Sequence, residues 1–551
     1  MSIFSAIRVK KPKRTAFDMS HEVKLTCDMG ELIPFFVQDV IPGDTFKVSV
    51  ETFVRFAPMI APVMHRVNVF THFFFVPYRL VWDEWREFIT GGEDGTAEPV
   101  FPRVRIAAAG TSSEALQTLN SNGTLCDYMG VPTKNWQSSW ESKVLSTQIN
   151  LLPFRAYQLI WNEYYRDQNL QDEIAFSKAS GIFQAAYEQS ESHEDGCLEC
   201  LKLRFRCWEK DYFTSALPFP QRLPNPVTVP VNGAVNILAD REAGSTNPVF
   251  WRKNSGSPGN PGSVKVGSGG FVVNEEGEQL YYDPRGTLKG EFNDNTSITI
   301  NELRRAFSLQ RWLENNARAG SRYIEQILSH FGVRSSDARL QRPEYLGGGK
   351  TPVVISEVLQ TSETASSPQG NMAGNGSSYG VSHSFKRFFE EHGIVIGILS
   401  VMPRSCYQNG LPKLFGKFDK FDYYFPEFAH LGEQEIKQSE IFFNPYYNLD
   451  GEHNNSTFGY TPRYAEYRFV NSHVHGDFRD SLNFWHMGRI FGDAQQPHLN
   501  SDFVQCKAPN NETGFNRVFA VSDTTDDRLW IQMYVNFKAL RPLPKFGTPG
   551  L

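Results

Sequence analysis

Residues 42–82 constrain the fold of this chain more strongly than any other stretch. Apolar or β-branched side chains occupy every second position from 46 to 56, a period that is typical of a strand with one buried face. The segment 57–62 must interrupt this strand, because its prolines lack the N–H that a ladder needs. A second run, 67–76, is apolar on both faces, which predicts a strand that is covered on both sides.

Further strand patterns lie late in the chain. Residues 394–399 form a continuous apolar run, and residues 529–537 place apolar side chains at alternate positions. Strands near both ends, separated by a long region of loops and helices, favour one β-sandwich or barrel that carries very large insertions. The composition agrees, since 14% aromatic residues, 44 Phe and 32 Pro favour a loop-rich, heavily packed β protein.

Charge and cysteine content exclude several classes of protein. A net charge of −6 gives no overall attraction to nucleic acid or membranes, so any such contact must come from a local patch. Seven cysteines in 551 residues do not resemble a disulfide framework. The N-terminal segment lacks the apolar core of a secretory signal, and no run of eighteen apolar residues occurs. We therefore expect a protein made in a reducing cytoplasm, without membrane insertion.

Two segments of the middle region have helical spacing. Apolar residues recur at intervals of three and four in 153–166 and again in 300–331. In the second segment Thr299 and Glu302 predict a capping box. Gly320 is expected to divide this segment into two helices, and a later glycine, at 332, to end the second one.

Three other stretches are poor in regular patterns. Residues 91–150 are expected to form long loops, and residues 361–380, rich in Ser, Gly and Asn, are expected to be mobile. Residues 232–297 are dominated by Gly, Asn, Ser and Pro. Segments of this composition bury little surface and usually form exposed, variable excursions.

A short basic arm occupies residues 1–20. It places five cations within seven residues of an otherwise acidic chain: Arg8, Lys10, Lys11, Lys13 and Arg14. Such a run can neutralise phosphates without a folded site, because it displaces counterions from nucleic acid. The alternative is a flexible, solvated tail.

Two clusters contain possible metal ligands. The spacing H-x3-C-x2-C-x6-C joins His193, Cys197, Cys200 and Cys207, but it does not match a known zinc finger, and reduced, partly buried thiols are the alternative. The segment 473–477 would place two histidines and an aspartate on one strand face, or leave them on a solvated strand. We expect neither a metal nor a cofactor in this protein.

Motifs of catalysis are missing from the sequence. The segment 347–351, GGGKT, is not a phosphate-binding loop, because position 344 is Glu where that loop needs Gly, and an ordinary glycine turn is expected instead. No nucleophile elbow, HExxH helix or dinucleotide fingerprint occurs. The aromatic loop 421–428 is a candidate contact between subunits, since Tyr and Phe are enriched at interfaces, although core packing would explain it equally well.

Long, non-repetitive strings in this chain resemble the major capsid protein of the Microviridae, closest to the gokushovirus type. The most specific begins at 329 and contains HFGV followed by DARLQRPEYLGG. The other matching strings lie at 17–21, 42–44, 74–82, 164–168, 211–218, 391–393, 431–434, 458–460, 464–468 and 485–486. The chain departs from the family in its insertion lengths and in the cluster of His193 and nearby cysteines.

The resemblance implies a mainly β fold, an eight-stranded antiparallel jelly-roll barrel of the viral capsid type with long loop and helix insertions. Residues 1–551 would form a single jelly-roll protein, with first core strands at 42–82, mostly insertions at 83–390, and late core strands and loops at 391–540. It also implies a structural protein rather than an enzyme, which self-assembles into a T=1 icosahedral shell around circular single-stranded DNA.

The resemblance implies partners as well. The variable insertion of the family corresponds to residues 232–297, for which Asn254, Ser255, Asn260 and Lys265 are candidate contacts with a bacterial surface receptor. The other expected partners are further copies of the chain, the DNA genome, a small basic DNA-packaging protein and other virion proteins. The location would be the virion, assembled in the cytoplasm of the host bacterium.

Two other functions remain open from the residues alone. Jelly rolls also host lectins and glycosidases, so a β-sandwich that binds or hydrolyses glycans is an alternative. A metalloenzyme built on the cysteine cluster is a third.

Overall fold

The computed structural model describes residues 13–105, 121–132, 148–185, 194, 196–222, 235–239, 251–253, 265–267, 272–273, 279–282, 288–292, 300–359, 372–381, 384–447, 449, 451–492, 496–507, 514–521 and 526–546. The chain forms two compact units. One consists of Met1–Pro220 with Ala317–Leu551, and the other of Gln221–Asn316.

Strands provide most of the regular structure. They are β1 Thr15–Asp18, β2 His21–Cys27, β3 Ile33–Val40, β4 Thr45–Phe56, β5 Val67–Pro77, β6 Arg103–Arg105, β7 Gln148–Asn150, β8 Ile182–Gln184, β9 Val235–Ala239, β10 Trp251–Lys253, β11 Lys265–Val266, β12 Val272–Val273, β13 Leu280–Tyr282, β14 Leu288–Phe292, β15 Glu344–Pro352, β16 Val354–Leu359, β17 Met372–Val381, β18 Phe385–Phe388, β19 Gly393–Pro403, β20 Glu433–Lys437, β21 Thr457–Pro462 and β22 Leu529–Arg541.

Helices are fewer and mostly short. The α-helices are Trp85–Thr90, Leu125–Tyr128, Leu152–Ile160, Ile300–Ala319, Tyr323–Phe331, Gln438–Ile441, Glu452–Asn455 and Ser501–Val504, and a π-helical turn, Trp161–Tyr165, continues the third. The 3₁₀ turns are Tyr78–Leu80, Leu198–Leu201, Lys413–Gly416, Lys420–Asp422, Pro426–Phe428, Ala465–Tyr467, Gly476–Arg479, Asn483–Trp485 and Phe515–Val518. Within the described residues, no helix combines the length and the apolar character that crossing a bilayer requires.

Two antiparallel sheets dominate the first unit. In the part of the chain that the structure describes, seven strands form the larger sheet in the order β1-β22-β4-β17-β16, with β2 also paired to β22 and β18 to β4. The smaller sheet has four strands in the order β15-β5-β19-β3. A small sheet of β6, β7 and β8 includes one parallel pair.

The two large sheets pack face to face around an aromatic core. Phe537 of β22 lies 4.9 Å from Phe46 of β4 and 5.2 Å from Phe36 of β3, measured between ring centroids. Phe73 of the smaller sheet lies 5.1 Å from Phe385 of the larger one. The prediction of a mainly β, sandwich-like protein is therefore confirmed.

The strand patterns read from the sequence are confirmed in their detail. β4 alternates buried and exposed side chains along most of its length. Almost every residue of β5 and β19 is buried, because one face of these strands packs on the larger sheet and the other is covered by the helix Leu152–Ile160 and its neighbours. Double coverage of this kind explains why both strands are apolar on both faces.

Several core strands are missed by the sequence analysis. β1, β2 and β3 precede the expected first core strands, and β15 to β18 fall within the segment assigned mostly to insertions. The prediction that 361–380 is mobile is wrong for 372–380, which lie in β17 and pair with β4 and β16. Residues 360–371 lie outside the described part.

The glycines at 347–349 do not form the expected turn but lie within β15. A bulge between Tyr345 and Gly347 shifts the register of β15 against β5. At Gly348 an added Cβ would approach the backbone oxygen of Thr71 to 2.4 Å, so only glycine fits beside that strand. The run of glycines therefore reflects close packing of strands. The segment is still not a phosphate-binding loop, because it lacks the first glycine of that motif.

The helix predictions agree well with the structure. Helical structure covers 152–165. Two further helices, 300–319 and 323–331, lie on either side of a break that contains Gly320. Gly332 ends the last of these in the left-handed conformation, with φ of 68°. Thr299, half of the expected capping box, lies outside the described residues.

In the second unit, described by itself, the described residues between Gln221 and the helix that begins at Ile300 form short strands. β9 pairs with β14, β10 with β13, and β11 with β12, all antiparallel. This unit includes the segment 232–297 that the sequence analysis interprets as an exposed excursion.

Candidate assembly interface

A dense group of exposed apolar side chains follows β19 in the first unit. We call it the aromatic platform and define it as Leu414, Phe415, Phe418, Phe421, Tyr423, Tyr424, Phe425, Leu431, Tyr467, Phe469 and Val470. Phe418 is 78% exposed and Val470 is 87% exposed, values that leave these side chains almost fully in water. Contiguous exposed apolar surface of this kind marks sites of interaction with another macromolecule.

Short turns fix the shape of the platform. The Asp422 carboxylate accepts hydrogen bonds from the backbone N–H of Asp419 and of Phe418, at 2.8 and 2.9 Å, and so orders the 3₁₀ turn Lys420–Asp422. These bonds hold the pKa of Asp422 below its ordinary value. The hydroxyl of Tyr464 bonds the backbone of Tyr423 and Phe425 at 3.3 and 3.4 Å. The loop is therefore tied down by side chains although it lacks strands.

The rings also contact one another. Tyr424 lies 5.0 Å from Tyr464 and 6.3 Å from Tyr467, and Phe421 lies 5.8 Å from Phe428, measured between centroids. These pairs are steeply inclined, as expected for favourable aromatic contacts. Since Phe421, Tyr424 and the neighbouring Phe425 keep much of their surface exposed, core packing does not explain the loop 421–428.

A buried ion pair lies beneath the rings. Lys417 and Glu466 are 3.3 Å apart, with side chains only 4% and 13% exposed. Lys417 Nζ also donates to the Tyr467 hydroxyl at 3.0 Å and lies 4.1 Å from the centroid of that ring. Glu466 accepts a second hydrogen bond, from Gln434 Nε2 at 2.7 Å.

The electrostatics of this pair are balanced locally. Burial lowers the pKa of Lys417, but the bond to Tyr467 and the charge of Glu466 outweigh it, and the pKa is raised. Burial likewise raises the pKa of Glu466, but the bond from Gln434 and the neighbouring lysines outweigh it, and the pKa is lowered. Both groups are therefore ionised at neutral pH, and the charge of Lys417 beneath the rings is balanced by that of Glu466.

The sequence predicted the aromatic loop but not its support. Lys417 and Glu466 are far apart in the chain, and nothing in their spacing joins them. The only signal was a lysine set inside the apolar run Leu414 to Phe418, where a charge needs a partner if the run is ordered.

Part of the basic arm is described. Lys13 and Arg14 lie directly before β1, and the Arg14 guanidinium lies 5.0 Å above the ring of Phe388. Arg8, Lys10 and Lys11 lie outside the described residues. Of the candidate host contacts, Lys265 is exposed in β11, while Asn254, Ser255 and Asn260 fall outside the description.

The cysteine cluster is divided between two cores. Cys197 and Cys200 are buried under the small sheet, whereas Cys207 packs in a separate cluster and contacts Gln171 Oε1 at 3.2 Å. Burial raises the pKa of Cys207 to about 11, so its sulfur is held as a thiol. His193 lies outside the described residues, and within them no group of three His, Cys, Asp or Glu side chains is arranged to hold a metal.

The segment 473–477 does not form the expected strand. His473 makes a single bridge to Tyr407, and Gly476–Arg479 is a 3₁₀ turn. The His473 and His475 rings lie 5.9 Å apart, and burial, with the charges of His475 and Arg479, lowers the pKa of His473. The one-face arrangement of three ligands is therefore wrong.

Comparison with known proteins finds capsid proteins. The sequence profile of the Capsid protein (F protein) family matches residues 5–551. The chain is 36% identical to capsid protein VP1 of Chlamydia phage 1, over 100% of this chain and 97% of that relative. It is 35% identical to capsid protein VP1 of Bdellovibrio phage phiMH2K, over 99% and 97% of the two chains. It is 31% identical to capsid protein VP1 of Spiroplasma virus 4, over 100% and 97%.

These matches extend over nearly the whole chain, and they join it to structural proteins rather than enzymes. The resemblance noted in the sequence to a major capsid protein of the Microviridae is confirmed. The chain belongs to the capsid protein (F protein) family of phages.

Proposed function

We propose that this protein is the major capsid protein of a small phage and assembles into a T=1 icosahedral shell that encloses a circular single-stranded DNA genome. The observation that carries the proposal is the aromatic platform, an ordered apolar surface on a chain that matches a capsid family over residues 5–551. The sandwich of two antiparallel sheets supports the proposal of an eight-stranded jelly-roll core, to which the remaining strands of the two sheets are additions.

Assembly would bury the platform between neighbouring copies. Full burial of one Phe side chain contributes about 2 kcal/mol, and a standard interface buries roughly 1,600 Å² in total. The shell closes because the same contact repeats around symmetry axes, so the loss of one subunit breaks several contacts at once. Individually modest interfaces therefore suffice for a stable particle.

Phe418→Ser tests the platform, with Phe331→Ser as its matched control. Both side chains are 78% exposed, so neither substitution removes core packing. Particle yield of the purified full chain is measured by sedimentation and negative-stain microscopy. We expect Phe418→Ser to lower the yield sharply and Phe331→Ser to leave it near that of the native chain. Equal yields for both variants, or a native chain that stays monomeric, would contradict the proposal.

Two further contacts belong to the same function. The basic arm would face the genome, and a small basic packaging protein would neutralise most of the remaining phosphates. The segment 232–297 would be exposed on the virion and contact a bacterial surface receptor. The virions would be assembled in the host cytoplasm. Deletion of residues 1–14 should lower the DNA content of particles, and exchange of 232–297 between relatives should change host adsorption. A normal genome content would contradict the proposed contact of the arm with DNA, and unchanged host adsorption would contradict the proposed contact of 232–297 with a receptor.

A further inference from the structure

Three lysines lie side by side on the solvent face of the larger sheet. Lys538 of β22 pairs directly with Lys47 of β4, and Lys386 of β18 pairs with Lys47 from the other side. All three are exposed, and the residues on either side of Lys47 and Lys538 in their strands are buried. We call Lys47, Lys386 and Lys538 the lysine row.

The lysine row destabilises the folded sheet when no anion is bound to it. Neighbouring strands are only about 4.8 Å apart, and like charges directly opposite one another destabilise a sheet. Among the described residues, Lys47 and Lys386 form no ion pair, and the nearest opposed carboxylate in register is Asp18, across from Lys538. The hydroxyl and N–H of Ser20 bond Asp18 at 2.6 and 3.1 Å, and these bonds, with the charge of Lys538, lower its pKa, so Asp18 offsets part of one of the three charges. An external anion would relieve the repulsion.

Exposed rings occupy the other end of the same face. We call Phe53, Tyr379, Trp530 and Tyr534 the sheet aromatics, and each keeps more than a third of its surface exposed. Phe53 and Tyr379 are directly paired across β4 and β17, and the Arg55 guanidinium lies 5.6 Å from the centroid of Phe53. Lys24 of β2 lies opposite Gln532, in the row that contains Phe53.

The dimensions suit an extended strand of nucleic acid. Phe53 lies six positions after Lys47 in β4, which corresponds to about 20 Å at 3.4 Å per residue. Sites for single-stranded nucleic acid combine cations that follow the backbone with rings on which bases stack, over roughly 4–16 nucleotides. One face of the sheet thus provides both elements within the length of such a site, with Glu51 between them and the Tyr379 hydroxyl donating to its carboxylate at 3.3 Å.

The position of the basic arm favours the same partner. β1 is an edge strand of this sheet, and the arm leads directly into it. Arg14 lies over Phe388, which pairs with Thr45 at the end of the face nearest the lysine row. Arg14, the last cation of the arm, therefore lies beside the end of the face that carries the lysine row.

We propose that the solvent face of the seven-stranded sheet is a binding surface for single-stranded DNA, in which the lysine row holds phosphates and the sheet aromatics stack on bases. The inference rests on the proposed function, because it takes the enclosed genome as the ligand. A second copy of the chain is the less suitable occupant, since it would have to offer acidic groups matched to three adjacent lysines. Double-stranded DNA would hide the base faces from the rings.

The test of the lysine row is the salt dependence of binding. The full chain is titrated with fluorescent oligodeoxythymidylate, and anisotropy is measured at several salt concentrations. For single strands, a plot of the logarithm of the binding constant against the logarithm of the salt concentration has a slope of about −0.7 for each phosphate neutralised. The variant Lys47→Gln/Lys386→Gln/Lys538→Gln removes three cations, so its slope should be less steep than that of the native chain by about 2. Lys178→Gln/Lys350→Gln/Lys507→Gln, at three exposed lysines outside this face, makes the same change of net charge and should leave the slope unaltered.

The test of the sheet aromatics separates stacking from charge. Phe53→Ser/Tyr379→Ser should weaken oligodeoxythymidylate binding at least about fivefold while leaving the salt slope unchanged. The same variant should bind an abasic oligonucleotide as the native chain does. Melting followed by circular dichroism checks folding, and the lysine-row variant should be no less stable than the native chain because it removes like-charge contacts.

The outcomes distinguish this inference from the proposed function. If the native chain forms particles but both lysine variants bind DNA alike, the surface is wrong and the capsid proposal stands. If the lysine-row variant fails to assemble while its DNA binding is unchanged, the face is a subunit contact and the inference is overturned. If the native chain forms no particles yet shows the expected salt slopes, the DNA surface stands and the shell proposal fails.

Discussion

Replacement of Lys417 by methionine tests whether the aromatic platform depends on the ion pair beneath it. Methionine has a similar length and keeps the apolar stem, so the change removes mainly the charge and the bond to Tyr467. It leaves Glu466 buried, with a side chain only 13% exposed, and without its cation. Uncompensated charge, rather than lost packing, is then the dominant effect.

The expected cost is about 3 kcal/mol in the free energy of unfolding. Breaking a buried ion pair by removing one partner costs roughly 3–5 kcal/mol. The lower end applies because Gln434 still donates to Glu466 at 2.7 Å after the substitution. Particle yield should fall as well, since Tyr467 loses the cation 4.1 Å from its ring centroid and the adjoining loop loses an anchor.

The assay is urea unfolding of the unassembled chain, followed by tryptophan fluorescence. The native pair contributes stability above the ordinary Glu pKa of 4.5, which is lost as the pH falls through the lowered pKa of Glu466 in the folded state. In Lys417→Met the buried carboxylate of Glu466 destabilises the folded state instead. The difference in free energy of unfolding between the variant and the native chain should therefore shrink toward pH 4.5, as Glu466 takes up a proton. The double variant Lys417→Met/Glu466→Gln removes the buried charge and should recover much of the stability.

Two results would refute this reasoning. A cost below about 0.5 kcal/mol at neutral pH would mean that the pair behaves as an exposed one. A double variant as unstable as the single one would mean that packing, not charge, is lost.

Two other predictions concern the sandwich. Burial raises the pKa of Glu31 to about 8, so the native chain should lose stability as the pH rises from about 4.5 through about 8, and Glu31→Gln should abolish this loss, as measured by thermal melting near pH 6 and pH 9. Gly30→Ala should destabilise by more than about 2 kcal/mol, because φ is +87° and a Cβ would lie 1.7 Å from the backbone oxygen of Cys506. Its control, Gly95→Ala, has φ of +69° with open space around it and should cost only about 1 kcal/mol; equal costs in urea unfolding would show that the close approach is unimportant.

The sequence predicted individual strands where one or both faces are buried. The alternation in β4 and the apolar run of β19 are direct imprints of burial, and both are confirmed. β17 and β15 were missed because glycines and small polar residues fill them, at places where a neighbouring strand or ring approaches too closely for a side chain. Here tertiary packing outweighs local propensity.

Strand patterns near both ends indicated that strands pair across the long insertions, but not which strands pair or in what register. β4 pairs with β22 although most of the chain lies between them, and β5 pairs with both β15 and β19. The cost of closing a loop grows only slowly with its length, so long insertions are compatible with such pairing but leave no signal of it in the sequence. The lysine row depends on this register, and for that reason no local pattern could reveal it.

The two exposed surfaces of the first unit differ most in how their cations are satisfied. Lys417 is neutralised by Glu466 and lies under Tyr467, so this cation is already satisfied within the platform. Lys47 and Lys386 have no such counterion among the described residues, and they lie side by side across the sheet. A polyanion would therefore gain more from the second surface than from the first, and we expect the placement of carboxylates to decide which surface faces protein and which faces nucleic acid.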